Sequence, residues 1–149
     1  MFSTAIVNTV DLVKLEQLYA ENKDVIDANT GQDFAITKSA FTHAIGGKLT
    51  AEITKDGEVV GYTTGRIKNK AYHCTNVIVG DNKAFILSGD SFCKVLRDLD
   101  ITAIKGHVKT NTPMYDFLLA SLGRKDLFTT EVGLPNEGHD GIIITLNIL

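Results

Sequence analysis

Apolar and polar positions alternate with two different periods along this chain. Between Leu49 and Val79 the period is two. Three segments, Leu49 to Thr54, Glu58 to Ile67 and Ala71 to Val79, carry Ala51, Ile53, Val60, Tyr62, Ile67, Tyr72, Cys74, Val77 and Val79. Such β-branched, aromatic and small apolar side chains suit a half-buried pleated surface, so the pattern predicts three strands. Asp56-Gly57 between the first two is well suited to the positive φ angles of a type I′ hairpin. Gly61 and Gly65 inside the second strand point to a bulge or a close backbone approach.

On either side the period changes to 3.6. Leu12, Leu15, Leu18 and Tyr19 form an apolar stripe, with Lys14, Glu16, Gln17 and Glu21 on the other face. A helix is expected there, capped by Asn8 or Thr9, with Asn8 and Asp11 as a weakened capping box, and ending near Asp27. A shorter helix is expected from Lys38 to Ile45, stopped by Gly46-Gly47. Past Gly80-Asp81-Asn82, Phe92, Val95, Leu96 and Leu99 predict a helix with Ser88 or Asp90 as N-cap. Ile101 to Val108 reads as a strand, and Pro113 opens a helix carrying Met114, Phe117, Leu118 and Leu122. Phe2 to Val7 reads as the first strand, and Leu127 to Val132 and Gly141 to Ile148 as the last two. Ile142-Ile143-Ile144 is apolar on both faces, which fits a central buried strand or a subunit interface, because an exposed edge of this kind aggregates. The order of elements gives one α+β domain over residues 1–149.

Composition narrows the class of function. The 149 residues are 44% hydrophobic and 22% charged, enough apolar material for a core without staples. A net charge of -3 argues against nucleic-acid binding, which rests on basic surface. No apolar run reaches the roughly 20 residues of a membrane span, and the N-terminal MFSTAIVNTVDL lacks the basic start of a signal peptide. Cytoplasmic placement is the expectation. The two cysteines, Cys74 and Cys93, read as core thiols rather than a disulfide framework.

Candidate chemistry is sparse. His43, His73, His107 and His139 lack neighbours at metal-ligand spacing, so no metal site is expected. His73 and Cys74 are adjacent in a strand and point to opposite faces, leaving His107 as the one histidine that could activate the thiol. Arg66, Lys68 and Lys70, with Lys105 and Lys109, make either a small basic patch or a solvated turn.

Several phrases carry a resemblance. The hairpin DGEVVG at Asp56 to Gly61, the run TNTPMYDFLLASLG at Thr110 to Gly123, and the element order resemble the GCN5-related N-acetyltransferase (GNAT) family. That order is a strand, two helices, a three-stranded meander, a helix, a strand, a helix and two strands. The resemblance implies a mixed, mainly antiparallel sheet flanked by about four helices. It implies that backbone amides near Val77, Ile78 and Val79 would hold the thioester carbonyl of acetyl-CoA in the manner of an oxyanion hole. It places the pyrophosphate at the next loop and helix start, where Ser88 and Gly89 lie.

The chain departs from the family's pattern in that loop. The pattern Arg/Gln-x-x-Gly-x-Gly/Ala is replaced by GDNKAFILSGDSFCKVL, with Phe85, Ile86 and Leu87 before its central Gly89 and Asp90 after it. A side chain in place of glycine would occupy the phosphate's position, and an aspartate would repel it. The family's acid, a tyrosine four residues before the helix-ending glycine, is replaced by Leu119, leaving Tyr115 one turn earlier as the candidate acid. Glu52 is the candidate base acting through water, or else a solvent-facing strand residue. A narrower resemblance joins Phe85-Ile86-Leu87-Ser88-Gly89 and the basic helix from Phe92 to Arg97 to small GNAT-like proteins of tailed bacteriophages, among them an internal virion protein.

Two functions follow. One is a non-catalytic, phage-encoded scaffold acting through a protein partner or as a homo-oligomer, in the virion or the host cytoplasm, without cofactor. The other is an acetyl-CoA-dependent N-acetyltransferase with a divergent cofactor loop. An open cleft beside a splayed strand pair favours the second; Phe85 or Leu87 filling that cleft favours the first.

Overall fold

The computed structural model describes residues 1–30, 33–42, 48–81, 84, 87–109, 128–135 and 141–148, apart from the side chains of 29, 30, 90 and those after 106. Strand β1 (Phe2–Val7) leads into helix α1 (Leu12–Glu21). The cap is Asp11, not Asn8 or Thr9: its side chain accepts from the Lys14 amide at 3.2 Å. The later start turns Leu12 outward, at 41% exposure, and leaves Leu15 and Leu18 as the buried stripe. The helix also ends earlier than Asp27. Asn22 stops it, donating both its amide and its side-chain nitrogen to the Leu18 carbonyl. Its own carbonyl then accepts from Ile26 and begins α2 (Lys23–Thr30). The next helix is α3 (Phe34–Thr42), set four residues earlier than the start expected at Lys38. The stop expected at Gly46-Gly47 lies outside the described residues.

The meander follows as read: β2 (Lys48–Lys55), β3 (Glu58–Lys68) and β4 (Ala71–Val79). Asp56 and Gly57 both have positive φ, 51° and 86°, as a type I′ turn requires. The second turn uses Asn69 and Lys70, at 53° and 60°. Lys70 has no glycine's freedom there, and its carbonyl is held by the Thr102 amide at 2.8 Å. Helix α4 (Gly89–Asp98), β5 (Ala103–Lys109), β6 (Phe128–Pro135) and β7 (Gly141–Ile148) complete the described elements. The helix expected from Pro113 lies outside them. The sheet has seven strands in the order β1-β2-β3-β4-β5-β7-β6, antiparallel except where β4 meets β5. The isoleucine run of β7 is therefore central, between β5 and β6.

Each face of the sheet has its own core. On one, α4 packs Phe92, Cys93 and Leu96 against Ala51, Tyr72, Ile101 and Ile104. Tyr72 and Phe92 meet edge to face at 5.4 Å, and the Tyr72 hydroxyl donates to the Leu49 carbonyl at 3.1 Å. Leu99, expected in the stripe, is the C-cap and half exposed. On the other face Leu15, Leu18, Ile26 and Phe41 of α1, α2 and α3 cover Tyr62 and Ile78.

Candidate functional site

The site begins with where β4 and β5 part. Their parallel pairing runs from Ala71 opposite Ala103 to Cys74 opposite Gly106 and stops there. Beyond that point β4 pairs only with β3, out to Val79 opposite Gly61. On its side β5 pairs only with β7, out to Lys109 opposite Gly141. The two parallel strands thus splay into a V.

One inserted residue accompanies the parting. Thr64 lies opposite Asn76 and Gly65 opposite Cys74, so Thr75 is a bulge in β4. A bulge bends its strand and raises the local twist, which turns the outer half of β4 away from β5. The Thr75 hydroxyl donates to the Thr64 carbonyl at 3.1 Å and pins the bulge. Gly65 makes it possible: a Cβ there would lie 2.3 Å from the His73 carbonyl oxygen. Gly61 serves the far end, where a Cβ would sit 2.6 Å from Val79 Cγ1. Both glycines expected to allow a close approach do so.

Val77, Ile78 and Val79 stand on the splayed arm. Ile78 and Val79 are buried, and Val77 is half-buried. In an antiparallel pair alternate residues turn their N–H and C=O away from the partner. The arm therefore aims alternate backbone groups into the V, where the register gives β4 no bond to β5. At the base of the V, Cys74 meets Thr63 at 3.2 Å, and burial pushes its thiol up, away from the thiolate a nucleophile needs. His107 lies on β5 at the opening; its side chain is outside the described set.

The loop between β4 and α4 closes on itself in part. The Ala84 amide donates to the Asp81 carbonyl at 2.9 Å and the Ser88 amide to the Ala84 carbonyl at 3.0 Å. Ser88 takes the N-cap position in helical geometry, makes no side-chain cap and is buried against β1, where Thr4 Oγ1 reaches its carbonyl at 3.5 Å. Gly89, the first residue of α4, has nothing within 4 Å of where a Cβ would be. Leu87 is 53% exposed, so it does not fill a cleft. Phe85, Ile86, the Asp90 side chain and Tyr115 lie outside the described residues.

Glu52 is partly exposed and does not stand on the splayed arm. It stands half-buried on β2 in the row Ala5–Glu52–Tyr62–Ile78, two strands from the splayed arm, about 10 Å between backbones. The Tyr62 hydroxyl donates to its carboxylate at 3.3 Å. Burial, with Glu52 beside it, pushes the Tyr62 phenol up to about 12, so it stays a neutral donor. Periodicity alone places Tyr62 in the core and Glu52 on a strand, but their meeting needs the register.

A hollow of about 320 Å³ opens beside the bulge, lined by Ala40, Lys48, Thr64, Gly65, Arg66 and Thr75. Lys48 donates to the Ala40 carbonyl, and desolvation pulls its ammonium down from the usual lysine range. Thr64 is held from below by Thr50 at 2.9 Å between hydroxyls. Among the described residues no three histidine, cysteine or acidic side chains gather as a metal site would need. No described helix is long and apolar enough to cross a membrane.

No family model matches the sequence, and no curated protein matches it. Solved structures do match the fold. An acetyl transferase from Salmonella typhimurium that modifies the N-terminal serine of a 50S ribosomal subunit protein superposes at TM-score 0.66, covering 99% of this chain and 95% of its own, with 16% identity. An aminoglycoside acetyltransferase in complex with coenzyme A gives 0.68 over 99% and 95%, with 10% identity. The PaiA N-acetyltransferase from Thermoplasma acidophilum, also with coenzyme A, gives 0.59 over 99% of each chain, with 12% identity. At such identities the likeness is one of fold, and the fold is the GNAT fold expected from the sequence. The phage resemblance rests on its sequence phrase alone.

Proposed function

We propose that the chain is an acyl-CoA-dependent N-acyltransferase. The observation that carries this reading is the V between β4 and β5, opened by the Thr75 bulge and left unfilled by Leu87. A sheet that needed only to be a scaffold would gain from closing those strands, since unused backbone groups cost free energy. Val77, Ile78 and Val79 would hold the acyl and pantetheine portion through backbone groups. Gly89, with open space at its α-carbon, would let a pyrophosphate approach the start of α4. Acetyl-CoA, when bound, supplies a thioester activated for amide formation.

The chain's own residues position and carry protons. With Cys74 held as thiol, no covalent enzyme intermediate is drawn. Glu52 is engaged by Tyr62 and distant from the V, so a proton from the acceptor amine leaves through water.

The second reading is a non-catalytic GNAT scaffold working through protein contact. Its support is the loop, where the Ala84 and Ser88 amides are already bonded within the chain and the glycine pattern is absent. Calorimetric titration with acetyl-CoA and CoA separates the two. Micromolar binding is the expected result; absence of binding at millimolar ligand would leave the scaffold.

A further inference from the structure

The register aligns four basic residues in one row. Lys48 on β2 lies opposite Arg66 on β3, Arg66 opposite His73 on β4, and His73 opposite Lys105 on β5. Directly opposed residues share a face, and this row lies on the face away from α4, because the flanking Tyr72 and Ile104 pack against α4. The row continues through Thr145 to Glu131 on the last two strands, so the basic run ends at Lys105. From Lys48 to Lys105 is three strand spacings, roughly 14 Å.

Opposed like charges destabilise a sheet, so the directly facing Lys48 and Arg66 are kept at a cost. The row also runs against the chain's net charge of -3. Arg66 and Lys105 are exposed, Lys48 and His73 half-buried. The ion pairs among the described residues include neither Arg66 nor Lys105. At one end the row meets the hollow, where the Thr64 and Thr75 hydroxyls stand beside Lys48 and Arg66. At the other it crosses β4 and β5 just below the last pair before they part.

We propose that this row and hollow bind an acidic peptide, and that the peptide is the acceptor whose amine is presented to the V. Exposed Arg66 and Lys105 stand in line across three strands with the hollow at one end, which suits an extended chain more than an enclosed small molecule. The cations of Lys48, Arg66 and Lys105, spread along the row, match carboxylates carried on an extended chain. That the peptide is an acceptor rests on the acyltransferase reading above; that it binds does not.

The test is fluorescence anisotropy at low salt with a labelled peptide of sequence Ser-Glu-Glu-Glu-Gly, its N-terminus free and its label at the other end. The glutamine counterpart and a single-stranded oligonucleotide of equal charge are run beside it. The acidic peptide is expected to bind and the glutamine peptide not. The double variant Arg66→Gln, Lys105→Gln is expected to weaken binding about tenfold, and Lys94→Gln, on α4 across the sheet, to leave it unchanged. Circular dichroism melts check that each variant is folded; these positions are exposed. No binding of the acidic peptide, equal loss in Lys94→Gln, or tighter binding of the oligonucleotide overturns the proposal. An acetyl-CoA titration on the same preparation separates the two readings. Peptide binding without acetyl-CoA binding keeps this surface and removes the transferase; the reverse keeps the transferase and removes this surface.

Discussion

Along β4, the backbone from Ala71 to Cys74 pairs with a strand on each side, whereas from Asn76 to Val79 it pairs, among the described strands, with β3 alone. The two halves are held by different means. The paired half sits on a dry cluster in which Tyr72, Phe92, Leu96 and Ile104 exclude water from both strands. The open half is covered on the α1 face by the Tyr62 and Ile78 cluster, and its Val79 packs with Ile53 on the other. The backbone ladder between β4 and β5 ends at Cys74 and Gly106. Packing therefore decides where the sheet is closed, and one inserted residue, Thr75, decides where it opens.

The largest way to break that contrast is to hollow out the paired half. Leu96 is 0% exposed at the centre of its cluster. Leu96→Ala is expected to cost about 2–5 kcal/mol in urea unfolding. Val77→Ala, on the half-buried open arm, is expected to cost about 1 kcal/mol. Equal losses would mean that the open arm is as much a part of the folding core as the paired one, and the division drawn here would fall.

A second effect reads the halves separately by pH. Tyr62 faces the open arm, directly opposite Ile78, and Tyr72 belongs to the paired half. Burial raises both phenols, Tyr62 from 10.0 to about 12 and Tyr72 further. A phenol whose pKa is higher in the folded state contributes stability that is whole below the unfolded value near 10 and is lost as pH rises from there. For Tyr62 the loss falls between pH 10 and 12 and amounts to roughly 3 kcal/mol. Alkaline unfolding followed by circular dichroism should show it. Tyr62→Phe should remove that share and leave the share due to Tyr72. An unchanged alkaline limb in Tyr62→Phe would show that the phenol is not buried on Glu52 as described.

Much of this was legible in the chain, and what was not has a common cause. Strand positions from Lys48 to Val79 follow local chemistry: alternation, two turns and β-branched side chains. Gly61 and Gly65 marked close approaches, but not that the inserted residue is Thr75 on the partner strand, because a bulge is a property of a pair. The α1 boundary failed for a similar reason. Asparagine and aspartate are both good capping residues, and burial of Leu15 rather than Leu12 chose Asp11 over Asn8. Val25 and Ile26 continue the helical spacing beyond Asn22, whose side chain bonds back to Leu18 and breaks the helix without glycine or proline. Gly80 leaves room for that asparagine, since a Cβ would lie 2.7 Å from its side-chain nitrogen. The basic row and the Glu52–Tyr62 pair depend on which residues the strand register sets opposite one another, so periodicity cannot show them.

The smallest effect on stability is also the sharpest on function. Gly89 opens α4 with negative φ available to any residue and no atom within 4 Å of a Cβ, so Gly89→Ala meets no clash. Alanine loses less backbone entropy on entering a helix, and stability should rise by up to about 1 kcal/mol. If the start of α4 receives a pyrophosphate, the same methyl group stands in its approach, and acetyl-CoA affinity in calorimetry should fall about tenfold. A variant that is more stable and binds less would show that the space at Gly89 serves a ligand and not the fold. Undiminished affinity would place the pyrophosphate elsewhere, and the V would then have to hold acetyl-CoA through the β4 arm without help from this helix.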